Sequence, residues 1–268
     1  MLTKRIIFTL IYDRGYFMHS RNFSLQRAGD SDWIIKNYNF ESISRHIDEI
    51  IFLDVSRESF DKEIALNDFK KVTNNCFVPK SYGGRLRDFE DFNRSFQNGA
   101  DKIVINTLLH DDPDLVIEAS KKYGSKSIIG SIDVKKIDEK YVVFSQNGSV
   151  NLQIDLEQYA SSKVLKNIGE IYLNSIDKDG TGQGFDLETY NVIREKLQCP
   201  VILAGGAGNA SHFLMSLEGS KVDALATANL FNFIGNGLET TRQRLIENNY
   251  LFPYWDTDFL TSIKSKYK

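Results

Sequence analysis

Short apolar runs alternate along the chain with longer stretches in which apolar residues recur every three or four positions, the pattern of strands and helices in a parallel sheet. Eight runs read as strands: residues 5–11, 49–55, 76–80, 102–106, 127–133, 170–175, 201–204 and 223–227. The stretches between them read as helices at 31–38, 60–73, 88–98, 114–123, 156–167, 187–198, 210–217 and 238–249. Eight strand–helix units in a chain of 268 residues are what a (β/α)₈ barrel requires, with a doubly wound sheet as the alternative.

An internal repeat favours the barrel. Gly83-Gly84, a helix, Asp101 and a strand ending at Thr107 recur as Gly205-Gly206, a helix, Asp223 and a strand ending at Asn229, always 122 residues later. Two copies of a four-strand half make one eight-strand barrel. Each half then presents a Gly-Gly pair and an Asn or Thr at the same rim, as backbone and side-chain donors for an anion. A third polar loop follows the sixth run, where the apolar residues of IYLNSIDKDGTGQGFD (171–186) give way to Asp179, Gly180 and Thr181. Glycines let backbone N–H groups approach a phosphate without a Cβ in the way. The plain alternative is a set of turns.

Composition narrows the classes. A net charge of −3 and dispersed Lys and Arg give no footprint for nucleic acid. Two cysteines, Cys76 and Cys199, are too few for a disulfide framework and read as small core residues in a reducing cytoplasm. The apolar run after Lys4 and Arg5 is cut off by Asp13 and Arg14, so neither a signal nor a membrane segment is expected. His19, His46, His110 and His212 show no ligand spacing, and no G-x-S-x-G elbow is present; no metal and no cofactor are expected.

The motifs MLTKRII at the start, FLDVS (52–56), GADKIVIN (99–106), DKDGTGQGFDL (177–187) and AGGAGN (204–209) resemble the cyclase subunit of imidazole glycerol phosphate synthase, the half-barrel-repeat enzyme of histidine biosynthesis. The likeness covers residues 1–249, read as one barrel. Residues 250–268 form a C-terminal extension expected to pack on the barrel through Tyr250, Phe252, Tyr254 and Trp255. The resemblance implies a barrel that takes ammonia from a glutaminase on its bottom face and uses it at the top, on a ribonucleotide with a phosphate at each end. One phosphate would meet Gly83, Gly84, Asn106 and Thr107; the other would meet Asp179, Gly180, Gly205, Gly206, Ala228 and Asn229. Arg5, Glu49, Lys102 and Glu170, each at a strand start, fall on the family's ring of charges at the ammonia entrance.

Departures from the family concentrate at the mouth. The family uses an acid–base pair of aspartates; Asp133 matches one, but the other falls on Ile11, which moves no proton. Asp13, two residues on, would share a strand face with Ile11 and is the candidate substitute, or else it serves the turn Asp13-Arg14-Gly15. The third glycine of the family's strand-3 loop is Arg85, the first-loop lysine falls on His19, and an inward threonine becomes Asn174. Residues 6–23, IIFTLIYDRGYFMHSRNF, resemble a branch of cyclase-like subunits encoded with bacterial surface-polysaccharide genes. That likeness implies a glutaminase-like partner and an N-acetyl sugar amidotransferase. The sequence therefore leaves an ammonia relay for sugar amidation, an active histidine-pathway cyclase, and a phosphate-binding scaffold as its readings.

Overall fold

The computed structural model describes residues 3–57, 60–228 and 236–253. Eight parallel strands close on themselves: β1 (Arg5–Asp13), β2 (Glu49–Asp54), β3 (Lys80–Gly83), β4 (Lys102–Ile105), β5 (Ile128–Ile137), β6 (Glu170–Ser175), β7 (Val201–Ala204) and β8 (Ala224–Thr227). Each pairs with the next in chain order, and β8 pairs with β1 through Arg5↔Ala224 to Phe8↔Thr227, which leaves the barrel without an edge. Helices lie between most strands, as the periodicity predicts. Among the described residues no helix is long and apolar enough to cross a membrane.

Strand alternation sorts the core into two layers. On β1, Ile6, Phe8, Leu10 and Tyr12 face the surrounding helices, while Ile7 belongs to a separate buried cluster with Ile51, Val104, Ile129, Tyr172 and Ile202 that fills the barrel lumen. Cys76 is buried in the outer layer, and Cys199 packs against it. Aspartates and asparagines start the helices: Asp88 accepts from the Asp91 N–H at 2.9 Å and Asn209 from the Ser211 N–H at 2.9 Å, caps of about 1 kcal/mol each.

The repeat is visible in bonding as well as in order. Asp101 accepts from the Lys80 N–H at 2.8 Å, and Asp223 from the Val201 N–H at 3.0 Å, so the same aspartate in each half holds the start of the preceding strand. Gly84 (φ +97°) and Gly206 (φ +95°) both lie in left-handed backbone, where a Cβ would meet the Asp54 carbonyl oxygen at 1.8 Å or that of Gly184 at 2.0 Å. Only glycine fits either place without moving a neighbouring loop.

Three expectations need correction. The third strand is Lys80–Gly83, not 76–80, because Cys76 still bonds back to the helix end at Thr73 and Pro79 has no N–H for the ladder. The helix expected at 156–167 is one turn, Leu156–Tyr159, followed by a 3₁₀ turn at Val164–Asn167; that expected at 187–198 ends at Ile193. Two β-hairpins went unread. One pairs Tyr16–Arg21 with Ser24–Gly29 beyond β1, and the other carries β5 into Lys140–Ser145 and Val150–Asp155.

Residues 250–253 lie at the floor. Tyr250 and Phe252 pack against the core, Leu251 accepts from the Lys4 N–H at 2.8 Å, and Pro253 accepts from Arg242 at 2.7 Å. Arg242 in turn makes two bonds, of 3.0 and 2.9 Å, to Asp48, whose Oδ2 also accepts from the Ile6 N–H. Tyr254 and Trp255 lie outside the described residues.

Candidate active site

The strand ends and both hairpins enclose a cavity of about 350 Å³ at the mouth, joined to a smaller one of about 40 Å³. The larger takes Gly84, Asn106, Thr107 and Asp133 from the first half and β5; the smaller takes Gly180, Gly205, Gly206 and Ala228 from the second. Ile11, Tyr172, Asn174 and Asp179 line both. Of the residues expected at the two anion sites, Gly84, Asn106 and Thr107 line the larger cavity, Gly180, Gly205, Gly206 and Ala228 line the smaller, and Asp179 lines both. Gly83 is buried beside Val104 and lines neither, and Asn229 lies outside the described residues.

With Asp54 and Asp179, Asp133 is one of three buried acids that line the larger cavity. Burial, then the charge of Asp179, pushes its pKa up to about 7, against a smaller downward pull from Asn174. Asn106 donates to it at 3.2 Å. A carboxyl that titrates near neutrality can give or take a proton at the working pH. Asp179 is raised as well, by burial, although the Ser20 hydroxyl and the Phe23 N–H both donate to its Oδ2. Asp13 lines neither cavity, and its carboxylate faces Arg14 at 3.3 Å. The shared strand face fails to bring it in because β1 ends there, turning through Arg14 (φ +47°) into the hairpin. Ile11 occupies the wall itself.

The hairpins position this wall. Asn22 donates to the carbonyls of Ile176 (3.0 Å) and Asp177 (2.9 Å), which ties the β1 hairpin to the loop after β6. Asn147 donates to the Val55 carbonyl at 2.8 Å and accepts from Arg57 at 3.1 Å, which ties the β5 hairpin to the loop after β2. His19 sits within the first hairpin, its pKa lowered by burial. Arg85 holds the third position of the β3 loop at φ +56° and gives its guanidinium to Asp54 (3.4 Å) and the Phe60 carbonyl. Arg57, Arg85 and Arg87 therefore edge the larger cavity, a feature that isolated arginines in sequence did not reveal.

At the opposite end the four predicted charges form a closed ring. Arg5 contacts Glu49 at 3.3 Å and also Glu170, while Lys102 contacts Glu49 at 2.8 Å and Glu170 at 3.1 Å. The Ser81 hydroxyl occupies the remaining Glu49 oxygen at 2.6 Å, so all four carboxylate oxygens are engaged. Burial alone would lower Lys102 and raise Glu170. The opposite charges outweigh it in both cases, raising the lysine and lowering the glutamate, so the ring stays ionised.

Similarity to known proteins follows this geometry. The family model described as histidine biosynthesis protein matches residues 21–234. A Parasynechococcus marenigrum protein provisionally named imidazole glycerol phosphate synthase subunit hisF2 is 43% identical over 244 residues, 91% of each chain. The chain belongs to the HisF family. Further HisF relatives, both named imidazole glycerol phosphate synthase subunit HisF, come from Lachnoclostridium phytofermentans (36% identical, 87% of this chain and 90% of the relative) and Sulfurisphaera tokodaii (35%, 87% and 91%). Membership accounts for the closed barrel and its repeat.

Proposed function

We propose that this HisF-family barrel receives ammonia from a glutaminase docked at its floor and relays it for amidation of an N-acetyl sugar by a partner amidotransferase, in surface-polysaccharide synthesis. The reading is carried by one contrast: a complete ring of opposed charges at the floor, against a mouth in which the strand-1 position of the acid–base pair is Ile11 and the carboxylate that acts on Asp133, Asp179, is taken up by Ser20 and Phe23. Ammonia is neutral and crosses an apolar interior that ammonium cannot, since the ion would lose its hydration at large cost. A ring of compensated charges suits the entrance of such a path.

An active histidine-pathway cyclase is the second reading, favoured by the paired cavities and by the names of the HisF relatives. A coupled assay with the glutaminase and [amide-¹⁵N]glutamine separates them. Label on the sugar supports the proposal. Label on an imidazole overturns it in favour of the cyclase, and label on neither leaves a phosphate-binding scaffold.

A further inference from the structure

The lumen between the charged ring and the mouth is lined mainly by Ile7, Ile51, Val104, Ile129 and Ile202. Tyr172 stands among them, 3% exposed, one inward position above Glu170 and one below Asn174 on β6. Its hydroxyl lies 3.2 Å from Thr9 Oγ1 on β1. Strands β6 and β1 are not neighbours; β7 and β8 lie between them, so the bond crosses the lumen instead of running along its wall. The intervening strands contribute Ala204, Ala224 and Ala226 to the same cluster, and these small side chains leave room for the tyrosine ring. A polar bridge in an apolar tube is otherwise unexplained.

We propose that Thr9 and Tyr172 form a hydrogen-bonding stop halfway along the lumen, which ammonia must enter and leave on its way from floor to mouth. This rests on the ammonia-relay reading above and adds to it a named gate within the barrel. A small neutral amine that leaves water needs a donor for its lone pair and an acceptor for its N–H groups. The phenol hydroxyl supplies the first and the threonine oxygen the second. Burial raises the Tyr172 pKa, so the phenol keeps its proton. The pair itself carries no charge; the carboxylates that act on Tyr172, Asp179 and Asp133, belong to the mouth above it. Tyr172 lines both mouth cavities, and its register partner Ser131 sits two residues below Asp133, so a molecule released upward arrives beneath that acid.

The test uses the full chain with its glutaminase, [amide-¹⁵N]glutamine in ¹⁴N-ammonium buffer, and two acceptors in parallel: the histidine-pathway ribonucleotide, and an N-acetyl sugar with its amidotransferase. Glutamate released per labelled product is the readout. Tyr172→Phe keeps the ring and removes the hydroxyl, and Thr9→Val removes the other half of the bridge. Each should raise the ratio at least about threefold, the double variant should be no worse than the poorer single one, and Thr9→Ser should restore coupling. Thermal unfolding of the same variants shows that the fold is retained. An unchanged ratio in either single variant, or multiplied effects in the double, overturns the stop while leaving the relay standing. Absence of label from both products with the unaltered chain overturns the relay, and the stop with it.

Discussion

The floor and the mouth of this barrel carry the same kinds of side chain in opposite states. At the floor, Glu49 and Glu170 are buried yet fully engaged by Arg5, Lys102 and Ser81. At the mouth, Asp133 is equally buried but faces Asn106, Asn174 and another acid, and burial raises its pKa instead of a cation lowering it. Charges that compensate one another hold a shape. A buried acid with no cation beside it stores chemical potential, which is how proton-transfer groups are set near neutrality.

The largest expected effect tests the mouth. If the cyclase reading holds and Asp133 handles a proton there, Asp133→Asn should slow imidazole formation by roughly 10²–10⁴-fold, the usual worth of a general acid–base group. A loss of less than about threefold in steady-state rate would remove it from the chemistry. Next comes the floor, at the clamp between Asp48 and Arg242. Truncating one partner of a buried ion pair costs about 3–5 kcal/mol, so Asp48→Ala should lower the unfolding midpoint in urea clearly while an exposed change such as Lys140→Ala, in a pair open to solvent, should barely move it.

A third expectation concerns coupling. Lys102→Ala leaves Arg5 to hold both glutamates, so the barrel should still fold, but the opened ring should raise glutamate released per product several-fold. An unchanged ratio would reduce the four charges to structural caps. The smallest effect compares the ends directly through pH. Asp133 titrates higher in the folded state, about 7, than in the unfolded chain, about 4, so its contribution to stability is lost as pH rises between those values. Glu170 is shifted the other way, so its contribution is present above its unfolded pKa and lost as pH falls through the lowered one. Thermal melts should therefore show Asp133→Asn gaining on the unaltered chain from pH 4 to 7, and Glu170→Gln losing to it as pH rises from the acid side to about 4.5, with little further change above.

The barrel was legible because its strands are short apolar runs of nearly uniform spacing and because its halves repeat. Strand β3 was displaced because KSYG contains a single large apolar side chain, whereas the preceding CFVP looks more like a strand. The hairpins were passed over because two of their turns, at Asn22 (φ +50°) and Phe23 (+62°) and at Asp138 (+46°) and Glu139 (+65°), carry no glycine, while Gly15 (+89°) and Gly148 (+71°) in the other two stand as isolated turn residues. At the floor, charge and position at strand starts carried the ring of four. At the mouth, Asp13 was weighed between strand alternation and the turn Asp13-Arg14-Gly15, and the turn at Arg14 decided against it. Tyr172 escaped notice because Ile171 and Leu173 make it look like one more member of an apolar run; only alternation around a closed barrel separates it from them.

Gly84 and Gly206 also bear on how such a chain can diverge. Each keeps a neighbouring carbonyl so close that a single methyl group would collide with it, and each lies in the corresponding loop of its own half. Whatever the acceptor has become, heredity has little freedom at these two positions. A saturation library selected for folded protein alone, with no assay of nitrogen transfer, should accept many residues at Ile11 and at Arg87 yet return glycine at both 84 and 206. The imprint of duplication would then persist as a matched pair of intolerant sites, long after the two halves had ceased to bind alike.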